Sequence, residues 1–290
     1  MTAKLIHCFT LLVLLSCDRG QEVKNLTYQN LVIIPDMSSR LTNKPSKDIA
    51  KITEIVQDFK NKCVMPGKKI GDRSSIFFSP FSSKVIASID LDTLKNLGEK
   101  QSFINSSGKF KNNGLNQRIK HFKDEVKLTY INTQNQGLDL ISILMEKIEN
   151  EPIIKMDTIF NDDINTTSIK YDNHLYILTD GYLEYHNKKQ NDQFYFSSSE
   201  IDKVRQFCKT NNVEISKALE MNRSLCLPPY KTNKNKFIHL HILETHERDK
   251  NDKLQSYSHP KGLRDNEILQ AVWKKWAIES GFKNFEWKKY

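Results

Sequence analysis

Apolar residues recur along the chain in two rhythms. From Leu31 to Ile34 they run without a break and end in Pro35-Asp36, the pattern of a strand buried on both faces whose carboxyl end delivers a polar residue. After a Ser/Arg/Thr-rich loop, Ile49, Ile52, Ile55, Val56 and Phe59 fall at helical spacing, which predicts a helix over 48–62 ended by Pro66-Gly67. Segments 74–78 and 84–89 read as strands joined by Ser79-Pro80-Phe81-Ser82-Ser83, a hairpin at a sheet edge. The stretch up to Gly114 is polar and without period. Leu115, Ile119, Phe122 and Val126 then mark a second helix, and Leu138, Ile141, Leu144, Met145 and Ile148 a third.

The second half repeats the design. A strand over 174–179 closes in Asp180-Gly181 as the first closes in Pro35-Asp36, so the two are expected to lie parallel. Leu183-Glu184-Tyr185 and Phe194-Tyr195-Phe196 flank a polar turn as a second hairpin. A helix over 200–209 carries Ile201, Val204, Phe207 and Cys208, a strand covers 237–243, and a last amphipathic helix over 266–280 carries Ile268, Leu269, Val272, Trp273 and Trp276. Strands alternating with helices predict an α/β fold: an open, doubly wound, mostly parallel sheet flanked by helices, Rossmann-like, with an edge hairpin. No internal repeat and no long linker divides the body.

Composition narrows the classes. With 290 residues, 38% of them hydrophobic, and 15 Phe, 10 Tyr and 3 Trp, the chain can bury one sizeable core, which excludes disorder as its main state. Its net charge of +9 comes from lysines scattered among asparagines, as in KNNGLNQRIK and KTNKNK, without a basic stripe interleaved with aromatic platforms; no nucleic-acid partner is expected. No apolar run reaches about 18 residues, so no spanning helix is expected. Glycine-rich phosphate loops and GxSxG are absent from the sequence.

The N-terminus, MTAKLIHCFTLLVLLSC, has one lysine, an apolar stretch and a small residue before Cys17, the outline of a signal peptide. Leu14-Leu15-Ser16-Cys17 resembles the bacterial lipobox. That resemblance implies a signal peptide over 1–16, acyl chains such as palmitate on Cys17, a lipidated tether over 17–28 and a folded domain over 29–290. It implies a membrane partner through the anchor and a bacterial cell-envelope location, the outer membrane ahead of the inner, although Asp18 is an inner-membrane retention cue in some bacteria. Of the remaining cysteines, Cys63, Cys208 and Cys226 form no CxxC, and one disulfide among the three, Cys208 with Cys226 for instance, is permitted outside the cytoplasm and leaves an odd thiol.

Ligands of open α/β sheets bind beyond the carboxyl ends of the strands, where strand order reverses, so Asp36 and Asp180 are the first candidates. Carboxylates with hydroxyls beside them suit a hard divalent cation. LVIIPDMSSR followed by a helix, and later HLYILTDG, resemble a von Willebrand factor A-type domain with its metal-ion-dependent adhesion site. The resemblance implies Asp36, Ser38 and Asp180 as ligands of Mg²⁺ or Mn²⁺. The family's second hydroxyl position holds Arg40, and its middle-loop threonine position holds Leu138, with Thr133 able to substitute if the loop rearranges. Arg40 paired with Asp36 or Asp180 in place of a metal, with Ser38 capping a turn, is the other reading of the same residues.

The binding surface expected around this site is Ser39, Arg40 and Thr179. Family members are mostly binding modules, so the resemblance implies an envelope protein that binds an unknown protein partner as an adhesion or scaffold module, not an enzyme. The alternative is a Mg²⁺-dependent phosphatase-like hydrolase with Asp36 as nucleophile and Asp180 holding the metal; Ser38, where such enzymes usually carry a second acid, counts against it. His239 and His241 form an i, i+2 pair that zinc sites sometimes use, with His246 nearby, but alternation with Ile238, Leu240 and Ile242 explains them as the outer face of a strand. Asn161-Asp162-Asp163 reads as a turn.

Overall fold

A computed structural model describes residues 23–38, 45–68, 71–133, 137–161, 166–185, 193–244 and 246–290. The segment expected to be a signal peptide, Cys17, Asp18, Ser39, Arg40, Asp162 and Asp163 lie outside the described residues. The strands are β1 (Val23–Pro35), β2 (Ser75–Phe78), β3 (Ala87–Asp90), β4 (Thr158–Asn161), β5 (Thr166–Thr179), β6 (Ile238–Glu244), β7 (Lys250–Asn251), β8 (Ser256–Tyr257) and β9 (Asn284–Lys289). The helices are α1 (Pro45–Asp58), α2 (Leu97–Ile104), α3 (Leu115–Asn132), α4 (Leu140–Asn150), α5 (Ser198–Asn211), α6 (Ile215–Met221) and α7 (Asp265–Ser280). A π-helical turn, Phe59–Val64, continues α1.

Seven strands form one sheet in the order β3-β2-β1-β5-β6-β9, with β4 antiparallel to the lower part of β5; β7 and β8 pair separately. β1 pairs in parallel with β2 and β5, β5 with β6, and β6 with β9, while β2 and β3 are antiparallel. This is the open, mostly parallel α/β sheet with an edge hairpin, in a Rossmann or von Willebrand factor A-like topology. The chain leaves β1 for β2 on one side and returns to β5 on the other, so strand order reverses between β1 and β5.

Pleat alternation divides the core. Val32, Ile34, Leu175, Ile177, Leu240 and Ile242 face a cluster containing α4, α5, α6 and α7, in which Trp273 and Trp276 are fully buried. Leu31, Ile33, Ile76, Phe78, Leu178 and Leu243 face the other cluster, built with α1 and α3. Register is pinned by a buried polar link across three strands, since amides and hydroxyls cut off from water must find partners. The Asn30 amide donates to Asn173 Oδ1 at 2.7 Å, and the Ser75 hydroxyl donates to Asn30 Oδ1 at 2.6 Å.

Several elements differ from expectation. β1 begins at Val23, inside the span assigned to the tether, and pairs with β5 from its first residue. The second hairpin reduces, among the described residues, to one antiparallel bridge between Leu183 and Phe196. α2, α6, β4 and β9 carry too few periodic apolar positions to be predicted. Cys63, Cys208 and Cys226 are free thiols, which corrects the permitted disulfide: Cys208 is buried in the core, and the Cys226 thiol donates to Leu219 O at 3.2 Å. Among the described residues no helix is long and apolar enough to cross a membrane.

Candidate functional site

The strand-order reversal places the ends of β1 and β5 side by side, and the Asp36 N–H continues their ladder by donating to Leu178 O at 2.9 Å. Asp36 is 5% exposed and turns its carboxylate inward. Its Oδ1 accepts the Ser38 N–H at 3.0 Å, which closes an Asx turn, and its Oδ2 accepts the Thr179 hydroxyl at 3.3 Å. The same hydroxyl accepts the Gly181 N–H at 3.1 Å. Thr179 therefore ties the two strand ends together.

Asp180 is 1% exposed, and both of its carboxylate oxygens are taken. Oδ1 accepts the Tyr182 N–H at 3.3 Å, and Oδ2 accepts Nε–H of Arg248 at 2.7 Å. The tight turn depends on Gly181, with φ of +89°, because a Cβ there would lie 2.5 Å from the Trp287 ring. Trp273 Nε1–H donates to Gly181 O at 2.8 Å and holds the turn from below.

Arg248, on the loop after β6, is the centre of the site's charge. Its Nη1 reaches Glu184 at 2.5 Å and its guanidinium lies 3.9 Å from the Tyr182 ring centroid. The Tyr182 hydroxyl donates to Asp265 at 2.5 Å, and Asp265 in turn pairs with buried Arg205. Beside this network Glu244 ends β6, only 2% exposed. Its Oε2 accepts Trp287 Nε1–H at 2.8 Å while Oε1 has no partner among the described residues, and burial pushes its carboxyl up to about 7.

Asp36, Ser38, Thr179 and Asp180 are thus brought together, and Ser39 and Arg40 lie outside the described residues. Thr133 caps the C-terminus of α3, where its N–H bonds Thr129 O. The middle loop does reach the site, since a Cβ on Gly137 would lie 2.7 Å from Glu184 O, but it brings Leu138, which packs against the core, and no hydroxyl. The donor set does not fit a cation beside Asp180, because a guanidinium already sits on the oxygen that would ligate it. Among the described residues no three His, Cys, Asp or Glu side chains are placed to hold a metal ion.

Arg248, Glu184, Tyr182 and Glu244 escaped sequence reasoning. The strand-end rule that found Asp36 and Asp180 also applies to β6 and would have found Glu244 and the loop bearing Arg248. The histidines alternate outward as expected, yet they meet a third. His174 Nδ1 is 2.9 Å from His241 Nε2, and His241 Nδ1 is 2.8 Å from a Glu286 oxygen. His239 stacks on His174 with centroids 4.9 Å apart, while His246 lies beyond the end of β6.

No family model and no curated protein matches the chain. Among solved structures it is similar to the pilus adhesin SpaC from Lactobacillus rhamnosus GG in its open conformation, with 10% identity and a TM-score of 0.38. The match covers 93% of this chain, which spans 28% of that protein's length.

Proposed function

We propose that this chain is a lipid-anchored protein-binding module of a bacterial cell envelope, and that it meets its partner with the carboxyl end of its sheet. The observation that carries the reading is the Arg248 arrangement: a guanidinium, 35% exposed at its side chain, held between buried Asp180 and partly exposed Glu184 and stacked on Tyr182. Arginine held rigid in this way is an interface anchor, because its fork is ordered before any partner arrives. Among the described residues Nη2 has no acceptor, so the group has donors left for a partner carboxylate. In this reading Arg248 stands where related sites place a cation. Mg²⁺ or Mn²⁺ would have to displace it to reach Asp180.

The anchor on Cys17 and the envelope location rest on the N-terminal motif, and the tether then spans from Cys17 to the start of β1. The test is photo-crosslinking in intact cells, with the photoreactive residue at Ser38 or Glu184 and, as control, at Lys217 on α6. A discrete adduct from both top positions, absent from the control and lost in Arg248→Ala, is the expected result. Adducts that survive Arg248→Ala would remove Arg248 from recognition. Calorimetric titration of Mg²⁺ decides the cation: heat with the intact chain, lost in Asp180→Ala, would restore the metal-dependent reading.

A further inference from the structure

At the opposite end of the sheet β1 and β5 run on together below β2 and β6, and one face of this ribbon forms the floor of a cavity of about 460 Å³. The floor is apolar and aromatic: Leu26, Tyr28, Ile169 and Phe160. The wall is charged and comes from elsewhere in the chain, with Asp72 and Arg73 before β2, Asp92 after β3, Lys95 just before α2 and Lys100 on it, three cationic side chains against two carboxylates. An apolar floor with a few converging polar groups, at a volume suited to a small molecule, is the usual make-up of a ligand site.

The charges are unevenly matched. The Asp92 carboxylate takes Arg73 at 3.2 Å, the Tyr171 hydroxyl at 2.7 Å, and both Lys100 and Lys155 at 3.6 Å. Lys155 has a second carboxylate, Asp90, at 2.6 Å. Lys100 has none among the described residues, although it is only 6% exposed. The other buried lysine shows what a satisfied one looks like: Lys147, 4% exposed, reaches Ser79 Oγ at 2.8 Å, Ser83 O at 2.5 Å and Glu151 at 3.0 Å. An ammonium has three donors. Lys100 makes only a long ion pair with Asp92 among the described residues, and it lines the cavity.

Burial, with Arg73 adding to it, lowers the Lys100 pKa more than Asp92 and the more distant Asp72 raise it, so an anion bound directly in the cavity would stabilise the charged amine. At the mouth Leu97 and Phe160 are 57% and 52% exposed, leaving apolar surface open to water beside the cationic wall. We propose that this cavity binds a small anionic aromatic molecule, with its ring on Tyr28, Ile169 and Phe160 and its carboxylate or phosphate on Lys100 and Arg73. The site is independent of the top of the sheet and of the partner proposed for it.

The test uses the intact chain and phenyl phosphate as probe, with phenol and inorganic phosphate as its two halves. Calorimetry is paired with amide shifts in a nitrogen-15 spectrum. Phenyl phosphate is expected to bind more tightly than either half and to shift the amides of Leu26, Tyr28, Ile169 and Lys100. Lys100→Met is expected to weaken it at least tenfold. Phe160→Ala, at an exposed position that does not endanger folding, is expected to weaken it about threefold. Shifts located elsewhere, no binding at millimolar probe, or equal affinity for phosphate and phenyl phosphate would each overturn the assignment, as would full affinity in both variants.

Discussion

Glu244 carries a buried carboxyl with one oxygen on Trp287 Nε1 and the other without a partner among the described residues. Burial pushes it up to about 7, the Trp287 hydrogen bond pulls down, and the charges of Glu247 and Asp180 add to the rise while Lys289 opposes it. In the unfolded chain the same group titrates at about 4.3. A folded pKa above the unfolded one means that its contribution is fully present below about pH 4.3 and is lost as pH rises through about 7. Glu244→Gln removes that loss, so the variant is expected to be more stable than the parent at pH 8, by roughly 3 to 4 kcal/mol. It should show no such gain at pH 4.5. Thermal unfolding at the two pH values checks this, and an equal shift at both would refute the assignment. His174 runs the other way: burial, then the charges of His241 and His239, push it down to about 4. Its contribution is therefore lost as pH falls from about 6.5 toward that value.

Among the elements, α5 has the most explicit start signal. Ser197 Oγ accepts the Ser199 N–H at 3.2 Å, and Glu200 Oε2 accepts the Ser197 N–H at 3.0 Å, a reciprocal cap over the first turn. Ser197→Ala is expected to lower stability by about 1 kcal/mol. Urea unfolding should show an earlier midpoint with an unchanged slope, and an unchanged midpoint would mean that packing of Ile201 and Val204 alone sets this helix. Helices and strands with a long buried face were legible in the sequence for a physical reason: burial on one side imposes a period. β4 has none, because its four residues are all exposed, and α2 has only Phe103 and Ile104 as buried apolar anchors. The lower half of β1 alternates polar residues with Leu26 and Tyr28 over a small satellite cluster, too weak a signal to tell a strand from a tether. At the site the two strand-end aspartates could be read because topology alone puts them together. The strand-end rule reaches the loop after β6 but not the pairing of its Arg248 with Asp180, since the two are 68 residues apart and nothing local announces it.

At the scale of the molecule the two faces of the sheet are covered unequally. Four helices pack on one face, while on the other, among the described residues, the cluster with α1 and α3 reaches the β5, β6 and β9 side through Leu178, Leu243, partly buried Tyr176 and Tyr290, whose hydroxyl donates to Asp48 at 2.8 Å. Below those residues the register pairs His174 with His239, Tyr176 with His241 and His241 with Glu286, so β5, β6 and β9 are joined on this face by rings and one carboxylate in place of a hydrophobic layer. Asp172 and Lys283 close the lower end of the row. Such a seam holds while the imidazoles are neutral. Adding charge to stacked rings 4.9 and 5.2 Å apart sets like charges against each other in partly buried surroundings, and Glu286 and Asp172 offset only part of that. The molecule should therefore lose stability from this side first on acidification. Hydrogen exchange compared at pH 7 and pH 5, after correction for the intrinsic rate, is expected to show the protection of β6 and β9 amides falling about tenfold relative to those of β1 and β2, and His174→Gln should blunt that fall. A uniform loss across the sheet would mean that the histidine seam carries no special share of the acid response and that the uncovered face is held by its backbone ladder alone.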